Sequence, residues 1–276
     1  MQKFFSSKIM LDQHTIWIAF GLTMIAGLST GIGSLIALMA KRTNTKFLCV
    51  SLGFSAGVML YLSFMEMLPE AKKELTLYFG DKTGNLSLIL AFFGGIGLTT
   101  LIDLLVPSMN NPHEVQGIED MRKPGKQSLH RVGILVALSL AIHNFPEGIA
   151  AFTSALNGLS IAIPITVAIA VHNIPEGIAV SVPIYHATGS RRKAFWMSFL
   201  SGLTEPLGAL LAYFFLMPLW SPLINGVILA AVSGIMVYIS LDELLPTAEK
   251  YGEHHVSISG LIVGMIIMAL SLFLFM

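Results

Sequence analysis

His143-Asn144-Phe145-Pro146-Glu147-Gly148-Ile149-Ala150 is followed, 29 residues later, by His172-Asn173-Ile174-Pro175-Glu176-Gly177-Ile178-Ala179. Both copies lie inside long apolar stretches. A His and a Glu four residues apart share one helix face, and both side chains ligate divalent cations. Ionisable groups in a membrane core are costly and are functional suspects by default. Asn157-Gly158, midway between the two histidines, is a turn signal. At 1.5 Å rise per residue each histidine lies about 20 Å from that turn, so the antiparallel copies meet near mid-membrane. They read as two halves of one metal site.

The rest of the chain fits that setting. Hydrophobic residues make up 54% of it, charged residues 12%, and the mean hydropathy is +0.76; soluble domains carry about 25% charged residues. The expected fold is an all-α polytopic membrane protein of eight transmembrane helices, spanning roughly 15–40, 47–69, 86–107, 130–155, 159–185, 194–217, 222–247 and 257–276. Residues 1–276 then form a single transmembrane transporter domain, with no room for a soluble one. Met1 to Gln13 lacks a small-residue cleavage site, which argues against a cleaved signal peptide. Cys49 is the only cysteine, which excludes a disulfide framework and a thiolate cage. A net charge of zero gives no sign of a nucleic-acid partner. With the N-terminus outside, inner loops hold eleven Lys and Arg and outer segments five. That bias predicts both termini outside.

A second repeat flanks the first. Gly57-Val58-Met59-Leu60-Tyr61-Leu62-Ser63-Phe64-Met65-Glu66-Met67-Leu68-Pro69 aligns, at an offset of 177, with Gly234-Ile235-Met236-Val237-Tyr238-Ile239-Ser240-Leu241-Asp242-Glu243-Leu244-Leu245-Pro246. These are spans 2 and 7, oppositely oriented. Spans 1 and 6 match more weakly, with Gly33 on Gly208 and Thr30 on Glu205. The expected plan is 3+2+3: inverted outer thirds around a central hairpin. Inverted repeats around a midplane site are a recurring transporter design.

The central motifs carry the chemistry. Asn144 and Asn173 can offer carbonyl oxygens. Pro146 and Pro175 lack an N–H, so the helices should kink there. Gly148 and Gly177 permit close helix approach. A nitrogen and oxygen donor set without thiolate suits borderline divalent ions held reversibly. It has room for two: one ion on His143, His172, Glu147 and Glu176, and another on Asn144 and Asn173 with the same two glutamates as bridges. Glu205 in span 6 adds a third carboxylate. Met59 in span 2 is a soft thioether that serves either as ligand or as core filler. Glu66, Asp242 and Glu243 sit at opposite mouths, where they attract cations along a pathway or are simply solvated at helix ends. His113, His130, His186, His254 and His255 read as solvated loop histidines sooner than as acceptors of released metal. Asp103 is unassigned.

On these residues the chain resembles the ZIP family of metal transporters, in its bacterial zinc-uptake branch. The resemblance runs over nearly the whole chain, and the doubled central motif is its most specific part. It implies eight spans in 3+2+3 order and a binuclear site between spans 4 and 5. One metal would be held by His143, Glu147, His172, Glu176 and Met59, the other by Asn144, Glu147, Asn173, Glu176 and Glu205. It implies uptake of zinc foremost, with iron, manganese, cobalt and cadmium accepted, across a bacterial inner membrane. It also suggests a central hairpin that slides against the outer thirds. Some family members have Gln and Asp where this chain has His172 and Asn173, so the first site here is richer in imidazole and the second poorer in charge. The partners expected are divalent metal ions and the lipid bilayer, with a homodimer as a possible assembly; no organic cofactor is expected.

Two other readings compete. An intramembrane metallohydrolase would need His-Glu-x-x-His, but each His here is followed by Asn. A third carboxylate would also crowd the open position that catalysis requires. A metal exporter of the cation-diffusion kind pairs His and Asp at helical spacing, but typically has fewer spans and a soluble tail.

Overall fold

Among the residues that the structure describes, a computed structural model covering 13–39, 45–105, 144–156 and 158–275, there is no strand. The helices are α1 (Gln13–Met39), α2 (Thr45–Phe79), α3 (Asp81–Leu105), α4 (144–156), α5 (Leu159–Thr188), α6 (Arg191–Leu219), α7 (Pro222–Lys250) and α8 (His254–Phe275). Seven of them, all but α4, are long and apolar enough to cross a membrane. The protein is an all-α polytopic membrane protein. Most of the fourth predicted span lies outside the described residues.

Helix ends follow local chemistry. Gly158 (φ 124°) precedes α5 and Gly189 (φ 65°) ends it, both in backbone regions that favour glycine. The Ser190 and Ser221 hydroxyls accept from the Lys193 and Ile224 N–H groups at the starts of α6 and α7. Ser221→Ala should lower the stability of α7 by about 1 kcal/mol, read as a drop in melting temperature of the purified protein.

One helix outruns the hydropathy expectation. α2 continues past residue 69 through Leu68–Phe79, whose Glu70, Lys72, Lys73 and Glu74 give it a polar side. A hydropathy window registers the bilayer core, not helix that continues beyond it. Within α2 and α7, Ser63–Met67 and Ser240–Leu244 are π-helical turns at the same 177 offset, with Leu68 N–H donating to Ser63 O and Leu245 N–H to Ser240 O. Pro69 and Pro246 explain both. Each lacks an N–H and would crowd the carbonyl four residues back, and a widened turn relieves that crowding. Helix α5, in contrast, is continuous through Pro175. The sharper break in the motif region is at Leu203 (ψ −8°) in α6, three residues before Pro206.

Several close packing contacts repeat the sequence symmetry. A Cβ added at Gly57 would overlap the Leu261 carbonyl oxygen, and one at Gly234 would overlap that of Phe92. Likewise Gly264 meets the Phe54 carbonyl and Gly95 that of Ala231. These pairs join α2 to α8 and α7 to α3, and both relate by offsets of 177 and 169. A second group joins α1 to α5 and α6 to α4. Gly33 meets Ile174 O and Gly177 meets Thr30 O; their mates are Gly208 on Phe145 O and Gly148 on Glu205 O. Gly27 and Gly202 face each other where α1 crosses α6, each backed by the other's carbonyl oxygen.

α1 and α6 are stitched to α4 and α5 by backbone-to-backbone approach at these glycines. α2, α3, α7 and α8 form the other group, in which α2 packs on α7 and α8, and α3 on α7. Among the described residues the groups meet where α2, and more lightly α8, lie against α5. Most of α5 is buried, whereas α3 and α8 turn residues such as Leu90, Phe93, Leu101, Ile262, Val263 and Phe273 outward as a lipid-facing coat.

Candidate metal centre

The two motifs come together inside the α1–α4–α5–α6 group. Asn144, Glu147, His172, Asn173, Glu176 and Glu205 are all at most 1% exposed. His143 lies outside the described residues, as do His113 and His130.

The His172 ring is held in one orientation. Its Nδ1 is 3.0 Å from the Ala168 carbonyl oxygen. A carbonyl only accepts, so the proton sits on Nδ1, and a neutral ring then presents a lone pair at Nε2. Nε2 faces Glu147 Oε2 at 3.3 Å. Two acceptors do not attract at that distance; a proton or a cation between them does the joining. The backbone-anchored second nitrogen is also what orients a histidine that ligates a metal. The pair crosses from α5 to α4 and so bridges the repeat.

The asparagines are fixed by the same logic. Asn173 Nδ2 donates to Ala26 O at 2.9 Å and to Glu205 Oε1 at 2.5 Å, and Asn144 Nδ2 donates to Ser201 O at 3.4 Å. Backbone carbonyls accept only, which settles the amide orientation and leaves each Oδ1 facing the interior. Ala26 and Ser201 are themselves repeat mates, 175 residues apart. Neither Oδ1 has a hydrogen-bond donor, nor have Glu147 Oε1 and Glu205 Oε2. Each buried acceptor left this way costs about 1–3 kcal/mol. Four such acceptors, two of them carboxylate oxygens, belong to the motif residues and Glu205, and a divalent cation would satisfy oxygens of this kind.

The set is partial. Among the described residues no three His, Cys, Asp or Glu side chains are gathered closely enough to hold a metal. Asn144 and Asn173 bring amide oxygens beside the carboxylates of Glu147, Glu176 and Glu205. Met59 is fully buried in the cluster with Ala168 and Ile169, one turn along α2 from Ser55, whose hydroxyl donates to His172 O at 3.4 Å. Glu66, Asp242 and Glu243 are not in the cluster; they ride on the two π-helical turns, inside their helices and not at the ends. His254, on α8, pairs with Glu249 at 2.6 Å in an exposed position. Sequence reasoning missed the Ala26 and Ser201 carbonyls that aim the amides. The 175 offset between spans 1 and 6 was the available signal.

The sequence has relatives. A family model described as "ZIP Zinc transporter" matches residues 109–272. The chain belongs to the ZIP zinc transporter family. It is 60% identical over 266 residues to a "Zinc transporter ZupT" of Streptococcus mutans, covering 96% of this chain and 100% of that one. It is 56% identical over 279 residues to the protein of the same name from Clostridium perfringens, covering 96% and 98%. A third relative of that name, from Nitratidesulfovibrio vulgaris, is 52% identical over 277 residues, covering 97% and 100%. Membership in a ZIP family of transporters is what sets the hydrolase reading aside.

Proposed function

We propose that this ZIP protein takes up divalent metal, zinc foremost, into the cytosol through a binuclear site between α4 and α5. The observation that carries the reading is the His172–Glu147 pair: an anchored imidazole presents its lone pair to a buried carboxylate from the other half of the repeat. One ion is held by His143, Glu147, His172 and Glu176 with Met59. The other is held by Asn144, Asn173, Glu147, Glu176 and Glu205. The imidazole-rich first position suits zinc and iron and the oxygen-rich second suits manganese, with cobalt and cadmium as further cargo. Glu66, Asp242 and Glu243 flank the route.

Residues 1–276 act as one transporter domain in the bacterial inner membrane, with both termini outside and a homodimer as its assembly. The 3+2+3 plan supplies two shapes related by inversion, open to either side. The glycine seams support a carrier group of α1, α4, α5 and α6 moving as a body against α2, α3, α7 and α8.

The experiment is zinc uptake into proteoliposomes, with manganese, iron, cobalt and cadmium as competitors. The reading expects saturable inward zinc flux, and whole cells limited for zinc should accumulate it when the protein is expressed. Net loss of zinc from such cells would replace import with export.

A further inference from the structure

The two halves of the repeat differ at several positions, and one of these differences falls at the metal centre. Three contacts set residue 30 against residue 205. Asn173 holds Ala26 O as Asn144 holds Ser201 O. Gly33 meets Ile174 as Gly208 meets Phe145, and Gly177 meets Thr30 as Gly148 meets Glu205. The crossing of Gly27 and Gly202 marks the centre of this relation. On one side Glu205 extends a carboxylate that accepts from Asn173. On the other stands Thr30, two atoms shorter, fully buried, with its hydroxyl lacking any hydrogen-bond partner. That hydroxyl lies beside Gly202, next to the Ser201 carbonyl that carries the Asn144 amide. Asn144 Oδ1 is also without a donor.

A buried hydroxyl is rarely left unmade, because its desolvation is not returned. A threonine in the place of a carboxylate leaves room for a water molecule, and a water needs two or more polar partners. Thr30 Oγ1 and Asn144 Oδ1 are two such partners on adjoining helices. We propose that Thr30 is a further ligand-shell residue of the oxygen-rich position: its hydroxyl and Asn144 Oδ1 hold a water that takes the place of the missing carboxylate and completes the shell of the second divalent cation. This rests on the binuclear reading given above. The neutral water has a consequence. A glutamate here would add a fourth carboxylate to Glu147, Glu176 and Glu205 and neutralise two dications fully. Threonine leaves the pair of ions with excess positive charge, which favours release over retention.

The test is zinc binding to the purified full-length protein by isothermal titration, which is independent of transport. Two binding steps are expected. Thr30→Val and Thr30→Ala should each weaken the weaker step about fivefold, the size of one neutral hydrogen bond. Thr30→Ser should bind within about twofold of the unsubstituted protein, because it keeps the hydroxyl. Asn144→Ala should weaken the same step. The proposal is overturned if Thr30→Val and Thr30→Ala titrate like the parent protein while Asn144→Ala is weakened. It is equally overturned if Thr30→Ser behaves like Thr30→Val, which would make the residue's shape and not its oxygen the cause. If the parent protein takes up a single zinc, or if Asn144→Ala also leaves both steps unchanged, the binuclear reading fails together with it.

Discussion

Glu147→Gln should reduce zinc uptake by about a hundredfold or more, and His172→Ala should do the same, with the folded protein still recovered in each case. Glu147 has one oxygen on His172 Nε2 and the other without a donor, so its charge faces inward on both sides. Glutamine keeps the shape but replaces one acceptor with an N–H2 that would point at a cation or at a lone pair. Losing the carboxylate that faces a buried dication leaves the cation's charge uncompensated, which costs about 3–5 kcal/mol and alone exceeds a hundredfold in binding. His172→Ala removes the directed lone pair and leaves Glu147 without its cross-helix contact. The check is radioactive zinc flux into proteoliposomes at matched protein content. Flux within about threefold of the unsubstituted protein, less than the loss of one hydrogen bond would cause, would remove this pair from the site.

The second large effect is on folding. Gly33→Leu and its mate Gly208→Leu should both abolish recovery of monodisperse protein. At each position any Cβ meets a carbonyl oxygen of the partner helix, Ile174 for one and Phe145 for the other. The obstacle is backbone and cannot rotate away. Overpacking ordinarily costs about 1–3 kcal/mol, and here the helices must also separate and lose the seam along their length. Gly21 is the control, because nothing lies within 4 Å of a Cβ built there. Gly21→Leu should therefore leave size-exclusion profile and melting temperature unchanged. Equal recovery of Gly33→Leu and Gly21→Leu would mean that the α1–α5 seam does not exist as described.

Much of this was legible in the chain, for particular reasons. The doubled His-Asn-x-Pro-Glu-Gly motif gave the antiparallel hairpin, because the turn at 157–158 and the helical spacing leave little alternative. The offset of 177 gave the match between α2 and α7, down to π-helical turns whose prolines were visible but whose widened geometry was not. The grouping of helices was less legible. A stitched pair such as Gly148 and Glu205 depends on two surfaces meeting, and neither glycine shows its partner in sequence. The close contacts of α1 and α6 with α4 and α5 therefore emerge only from the structure. Helix lengths were also underestimated, since the solvated turns after Leu68 carry no hydropathy signal. The amide orientations depended on the carbonyls of Ala26 and Ser201, residues with no chemical mark of their own. Thr30 was visible only as the odd partner of Glu205, and its significance needed the burial of its hydroxyl.

The most direct test of the central claim is an experimental structure of the zinc-loaded protein with anomalous diffraction measured on both sides of the zinc absorption edge. The account predicts a zinc peak between α4 and α5, about 2.0–2.1 Å from His172 Nε2 and about 2.0–2.2 Å from a Glu147 oxygen. A second, weaker peak is predicted beside Asn144, Asn173 and Glu205. A zinc peak elsewhere in the protein, with His172 and Glu147 still in direct contact and no density between them, would contradict it.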